Sequence, residues 1–194
     1  YTNTIGSFAG RFQGTIENCV SSATVNGYKF VGGIIACRDN AMGDVTVKNC
    51  AFHGTLTTAS STAAQNAGGI VGGTYMDSNN SAPNGHRTNI IGNTCDGTIS
   101  GMANVGGIFG GCVMIAQAWD AYEFRDNVFT GTIARGNADT TGAIIGFYDS
   151  LNKWDDIHDN TFSADCGAER GIGKVKYVDT SFENPTAVDG VTYI

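Results

Sequence analysis

The densest run of chemically capable side chains is WDDIHDN, at 154–160. Asp155, Asp156 and Asp159 offer the hard oxygen ligands that Ca²⁺ takes, and Asp126 sits in a matching string one repeat earlier. The competing reading is a solvated acidic edge, the usual fate of a charge run. A second acidic stretch, MDSNNS at 76–81, lacks the spaced Asp, Gly and closing Glu of an EF-hand loop. The three histidines, His53, His86 and His158, are scattered and form no H-E-x-x-H pair. Nothing marks a serine nucleophile. GAERGIGKV at 167–175 has a phosphate-loop look, but its first glycine comes one residue early and Val175 stands where Ser or Thr is needed. No catalytic residue and no cofactor other than calcium is expected, and the chain reads as a non-enzyme.

Six cysteines, Cys19, Cys37, Cys50, Cys95, Cys112 and Cys166, would allow three disulfides in fifteen arrangements. No zinc spacing is present, and small buried hydrophobes are the plainer reading. Cys37 and Cys112 both follow a glycine string and form the pair to watch. Trp119, Tyr148 and Trp154 lie in or beside loops, where an aromatic face could stack on a sugar or pack beneath the insertions. Thr15, Thr55, Thr98 and Thr132 form a candidate threonine column, but the next outward residues are too mixed for an ice-binding lattice.

Positioning these groups falls to a repeat. VGGIIA (31–36), AGGIVG (67–72), VGGIFG (105–110) and TGAIIG (141–146) are copies of one string, with a weaker one, IGSFAG, at 5–10. Their first glycines, Gly6, Gly32, Gly68, Gly106 and Gly142, are separated by 26, 36, 38 and 36 residues. Each copy is followed by an apolar-x-Asn-x-apolar string, which gives the column Asn18, Asn49, Asn93, Asn127 and Asn160. Apolar residues beside glycine pairs, then an Asn corner, then a Gly-Thr-Ile strand, describe one coil that cannot bury its apolar face alone. Stacking buries it. The expectation is an all-β parallel β-solenoid of about five coils, roughly 24 Å long at about 4.8 Å per coil. Ile34, Ile70, Ile108 and Ile144 should form an inner ladder, the glycines should serve a tight bend, and Asn amides should bond from coil to coil.

Composition agrees. Charged residues are only 15% and Pro only 2, against 28 Gly, which argues against both disorder and helix. A net charge of −7 with scattered basic residues excludes nucleic acid as a natural partner. No run of 18 apolar residues exists to span a bilayer. Starting at Tyr1 with no signal peptide in view, the chain reads as a processed protein or an excised fragment. It is expected to be one domain, 1–194, with repeats at about 5–27, 28–66, 67–104, 105–140 and 141–166 and a cap at 167–194.

Repeats of G-G-I-x-G, a loop, apolar-x-N-C and G-x-I resemble the glycine-rich GLUG-type repeats of bacterial surface proteins over residues 5–166. Similar repeats occur in the non-catalytic amino-terminal regions of IgA-protease-type zinc metallopeptidases, whose zinc motif is absent here. NCAFHG (50 being its Cys) and DNTFSA also look like coils of right-handed β-helix proteins, including polysaccharide lyases and phage tailspikes. The resemblance implies an extracellular, cell-surface module, an adhesin segment or spacer that binds a host or neighbouring-cell glycan or protein through loops on one face. Two alternatives stand beside it. One is a subunit of a self-assembling extracellular fibre joined through the solenoid ends. The other is a β-helix lyase or glycosidase, with carboxylates on Ca²⁺ and Arg125 as the base.

Overall fold

The computed structural model describes residues 4–39, 43–58, 65–75, 86–112, 121–151, 155–178 and 191–193. The chain is a parallel β-solenoid. In its third coil it passes through five short strands, Asn66–Gly68, Val71–Tyr75, Arg87–Ile91, Thr94–Cys95 and Thr98–Ser100. Each pairs in parallel with its equivalents one coil before and after, which builds five sheets, numbered I to V in that order, of 5, 6, 5, 6 and 4 strands. The strands of the first, second, fourth and fifth coils fall within 4–27, 30–58, 104–135 and 141–162. The closing segment extends this stack as a partial sixth rung. Ile172–Val178 pairs with Ile145–Leu151 on sheet II, and Val191–Tyr193 pairs with Asn160–Phe162 on sheet IV.

Alternation along each strand turns one residue type inward per sheet, and stacking converts it into a column. Sheet II contributes Ile35, Val71, Phe109, Ile145 and Ile172; sheet III contributes Val47, Ile90, Phe124 and Ile157; sheet V contributes Val25, Leu56, Ile99 and Ile133, all buried. Between sheets I and II the expected ladder is present. Ile34, Ile70, Ile108 and Ile144 are wholly buried; the first three N–H groups donate to the next Ile carbonyl at 2.9–3.1 Å, and the Ile144 N–H donates to the Gly171 carbonyl at 2.9 Å. Burying one such side chain stabilises by about 1.5–3 kcal/mol, so each added coil strengthens its neighbours.

The glycine pairs serve the bend between sheets I and II. A Cβ on Gly32, Gly68, Gly106 or Gly142 would collide with the carbonyl oxygen three residues on, that of Ile35, Val71, Phe109 or Ile145. A Cβ on the second glycine of the pair would strike the side chain facing it from sheet IV: Phe52 at Gly33, Cys95 at Gly69, Phe129 at Gly107. Space, rather than backbone conformation, selects glycine here.

Register corrects the asparagine column. Thr94 is level with Ala51 and Val128, so Asn93 is level with Cys50 and Asn127, while Asn49 is level with Gly92 and Asp126. Two adjacent corner positions exist in every coil. The first holds Asn18, Asn49, Gly92, Asp126 and Asp159, all with φ between 52° and 63°, a left-handed backbone that Asn, Asp and Gly tolerate. The second turns inward and holds Cys19, Cys50, Asn93, Asn127 and Asn160. Asn suits both, so the five asparagines are two columns. The threonine column is likewise Thr24, Thr55, Thr98 and Thr132; Thr15 is level with Thr46 on sheet III.

Candidate functional site

Sheet III turns a strip of charged and polar side chains outward. In Ala121–Arg125 the alternation buries Tyr122 and Phe124 and turns Glu123 and Arg125 outward. One coil on, Asp156 is level with Glu123 and His158 with Arg125. Earlier coils add Asn89, Thr46 and Thr15 to the first outward column, and Ile91, Lys48 and Glu17 to the second. Asn89 Nδ2 donates to Thr46 Oγ1 at 3.1 Å. The Arg125 guanidinium reaches Glu123 at 2.6 Å and Asp126 at 2.6 Å, and these carboxylates, Glu123 foremost, raise its pKa. His158 Nδ1 lies 2.8 Å from Asp159 and Nε2 lies 3.5 Å from Asp156. The Asp159 hydrogen bond raises the His158 pKa, and the charges of Asp156, Asp159 and Asp126 add to it. The result is a strip of paired donors and acceptors in which four carboxylates, Glu123, Asp126, Asp156 and Asp159, surround Arg125 and His158.

The acidic run does not converge. Neighbouring strand residues face opposite ways, so Asp156 points outward while Asp155 is buried, its Oδ1 accepting the Tyr122 N–H at 3.0 Å. Asp155 therefore closes the inner column above Tyr122, and a calcium site shared by Asp155, Asp156 and Asp159 is not assembled. Among the described residues no group of three or more His, Cys, Asp or Glu is arranged to hold a metal ion. Arg125, the base imagined for a lyase, is engaged by two carboxylates.

Tyr148 is corrected from a loop aromatic to a core one. It is wholly buried, with ring centroids 5.6 Å from Tyr122 and 6.2 Å from Phe124, and Phe109 completes the cluster. Trp119 and Trp154 lie outside the described residues. His53 faces outward and meets Asp96 of the next coil at 2.6 Å.

The connections give this strip its setting. In the second to fifth coils the links from sheet II to sheet III run from Asp39 to Val45, Tyr75 to Arg87, Cys112 to Ala121 and Leu151 to Asp156, and the second and third of these are the longest within the five coils. Their ends are anchored along one edge of the solenoid, while the link from Thr58 to Asn66 joins sheet V to sheet I. In the first coil only Phe12 and Gln13 span the same corner. Where the links rejoin, Arg87, Asn89, Ala121, Tyr122, Glu123 and Asp156 line a shallow depression of about 110 Å³. Three successive coils contribute to it. Sequence reading found the insertions but missed Arg87, Asn89 and Glu123, whose grouping depends on register rather than on any local motif.

Compared with protein-family models, curated proteins and solved structures, the chain matches none of them.

Proposed function

We propose that this chain is a non-enzymatic, extracellular binding module of a bacterial surface protein, an adhesin segment or spacer that holds a glycan at the edge between sheets II and III. One observation carries the reading: the two longest links within the five coils, Tyr75 to Arg87 and Cys112 to Ala121, are anchored at the same corner, beside a strip of donors and acceptors. Rungs about 4.8 Å apart present Asn89, Glu123 and Asp156 in a column, with Arg87 two residues before Asn89 on the same strand, a spacing that suits hydrogen bonding to a hydroxyl-rich chain. The likeness of the repeats to GLUG-type repeats supports the extracellular setting. The test is a glycan array probed with the full chain, with and without calcium, and with a variant whose residues 76–85 are replaced by an Asn-Gly turn. Binding should be insensitive to calcium and lost in the shortened variant while its circular dichroism stays β-rich. Binding that survives the replacement, retention of proteins but no glycans, or the release of unsaturated sugar ends would overturn it.

A second reading, end-to-end assembly into a fibre, draws on one further observation. Among the described residues the large hydrophobics that stay exposed are Phe8 and Val20 in the first coil and Tyr28 just after it, and the first coil's strands also form one open edge of the stack. Sedimentation velocity decides it: a species that stays monomeric from micromolar to millimolar concentration would end this reading.

A further inference from the structure

The inward corner column changes chemistry along its length. From the fifth coil back to the third it is a chain of amides: Asn127 Nδ2 donates to Asn160 Oδ1 at 2.9 Å, and Asn93 Nδ2 donates to Asn127 Oδ1 at 3.0 Å. Asn93 Oδ1 then accepts the Cys50 N–H at 2.9 Å, and there the amides end. The two remaining positions are thiols.

Cys19 and Cys50 are level with each other. The residues that follow them pair Val20 with Ala51 and Ser21 with Phe52, and the Ala51 N–H donates to the Cys19 carbonyl at 2.8 Å. Their side chains leave the corner in the same way: each thiol donates to the carbonyl two residues back, Cys19 to Glu17 and Cys50 to Lys48, both at 3.3 Å. The Cys50 thiol also lies 3.8 Å from the Ile16 carbonyl, so it reaches down into the first coil. Level positions on neighbouring parallel strands have Cα atoms about 4.8 Å apart, within the roughly 4.4–6.8 Å that a disulfide spans. Both are free thiols here, Cys50 buried and Cys19 part-exposed.

Cys37 is level with Gly73 and Gly73 with Gly111, so the Cys112 position lies two coils away and one residue further along. Cys95 points from sheet IV at Gly69.

We propose that Cys19 and Cys50 form a disulfide between the first and second coils by exchange with a small-molecule disulfide, a covalent continuation of the amide column. The Cys19 thiolate attacks one sulfur of the small disulfide, which breaks its S–S bond and releases one thiolate. Cys50 then gives up its proton and attacks the Cys19 sulfur, and the second small thiol leaves. Two protein thiols are oxidised and one small disulfide is reduced to two thiols. Exposure gives Cys19 the first step. Burial, which also pushes the Cys50 thiol up, leaves the first attack to Cys19, and the level position of Cys50 beside the Cys19 sulfur makes the second step intramolecular.

The test uses the full chain incubated with oxidised glutathione, then unfolded, alkylated with iodoacetamide, digested and weighed. Expected is one cross-linked peptide pair joining Cys19 to Cys50, with the other four of the six cysteines alkylated. The melting temperature should rise by roughly 5–10 °C and fall back in dithiothreitol. Cys19→Ser should leave Cys50 alkylatable after the same treatment. A glutathione adduct on Cys19 that persists, alkylation of both residues after oxidation, or a bond from either to another cysteine would overturn the proposal. Because the wild-type chain carries the decisive measurement, a variant that fails to fold does not remove the test.

Discussion

Asn127→Ala isolates what the inner amide column contributes. The Asn127 side chain is wholly buried and makes four hydrogen bonds: Nδ2 donates to the Ile90 carbonyl at 2.7 Å and to Asn160 Oδ1 at 2.9 Å, while Oδ1 accepts from the N–H and Nδ2 of Asn93, both at 3.0 Å. Truncation spares two of the partners. Asn93 Nδ2 keeps the Val47 carbonyl, and Asn160 Oδ1 keeps the Asn127 N–H. The Asn93 N–H and the Ile90 carbonyl lose the bond described here and remain buried. At about 1–3 kcal/mol for each buried group left unsatisfied, the cost is about 4 kcal/mol. A chain of this length loses roughly 2–4 °C per kcal/mol, so the melting temperature should fall by roughly 8–16 °C. Asn49→Ala is the control. Its side chain is exposed and only its left-handed backbone is constrained, so the cost should be about 1–2 kcal/mol, and Asn49→Gly should be near neutral. Urea unfolding followed by circular dichroism gives the midpoints, and an unchanged slope shows that the coils still unfold together. If Asn49→Ala proved as costly as Asn127→Ala, or Asn127→Ala cost under about 1 kcal/mol, the two-column assignment would be wrong.

Gly106→Ala should abolish folding, because its Cβ would collide with the Phe109 carbonyl and neither group has room to move; a β-rich, cooperatively melting Gly106→Ala protein would contradict the packing account of the glycines. His158 should titrate above its ordinary 6.5 by NMR, and Asp159→Asn should bring it back down. Because its folded pKa is raised, the His158 contribution to stability is complete below about pH 6.5 and fades as the pH rises through the folded value; stability that instead grew across that range in wild type but not in His158→Gln would refute the pairing. Cys95, wholly buried with its thiol pushed up to about 12, should resist iodoacetamide at pH 8 in the native protein while Cys19 is labelled; modification of both at equal rates would refute the burial of the sheet IV column.

The parts of this fold legible in the sequence are those where one steric demand recurs with one residue type as its answer. Only glycine fits beneath the carbonyls of Ile35, Val71, Phe109 and Ile145, so the bend announces itself in every coil. The buried isoleucines follow at a fixed offset. Legibility fails where two positions accept the same residue. The left-handed corner and the inward corner are adjacent and both take Asn, so matching asparagine to asparagine placed the first two coils one residue out of step. Thr15 misled in the same way, because Thr followed by an apolar residue begins strands on sheet III as well as sheet V. Asp155 and Asp156 looked like one cluster because the string alone hides the pleat that sends one inward to the Tyr122 N–H. The depression around Arg87 and Glu123 could not be read at all, since its members come from three coils joined by links of unequal length.

Nearest-neighbour stacking explains why the columns and the insertions follow different rules. A coil gains its stability from the rungs on either side, and most of those contacts are made by short strands and corner amides. The links can therefore differ in length from coil to coil without disturbing the core, which makes that edge the economical place for recognition. The same reasoning sets the ends apart from the middle. Asn127 bonds to a coil on each side, whereas the first coil has one neighbour, and its Gly14–Glu17 strand stays largely exposed. Amide bonds that hold only while both rungs are ordered protect such a coil least, because its fraying breaks them one after another. A covalent bond between Cys19 and Cys50 would keep the first rung beside the second through each opening, so it acts where hydrogen bonds are least able to. The consequence is directional: in hydrogen exchange, oxidation should slow the amides of the first coil far more than those of the fourth, and uniform slowing along the stack would contradict this picture.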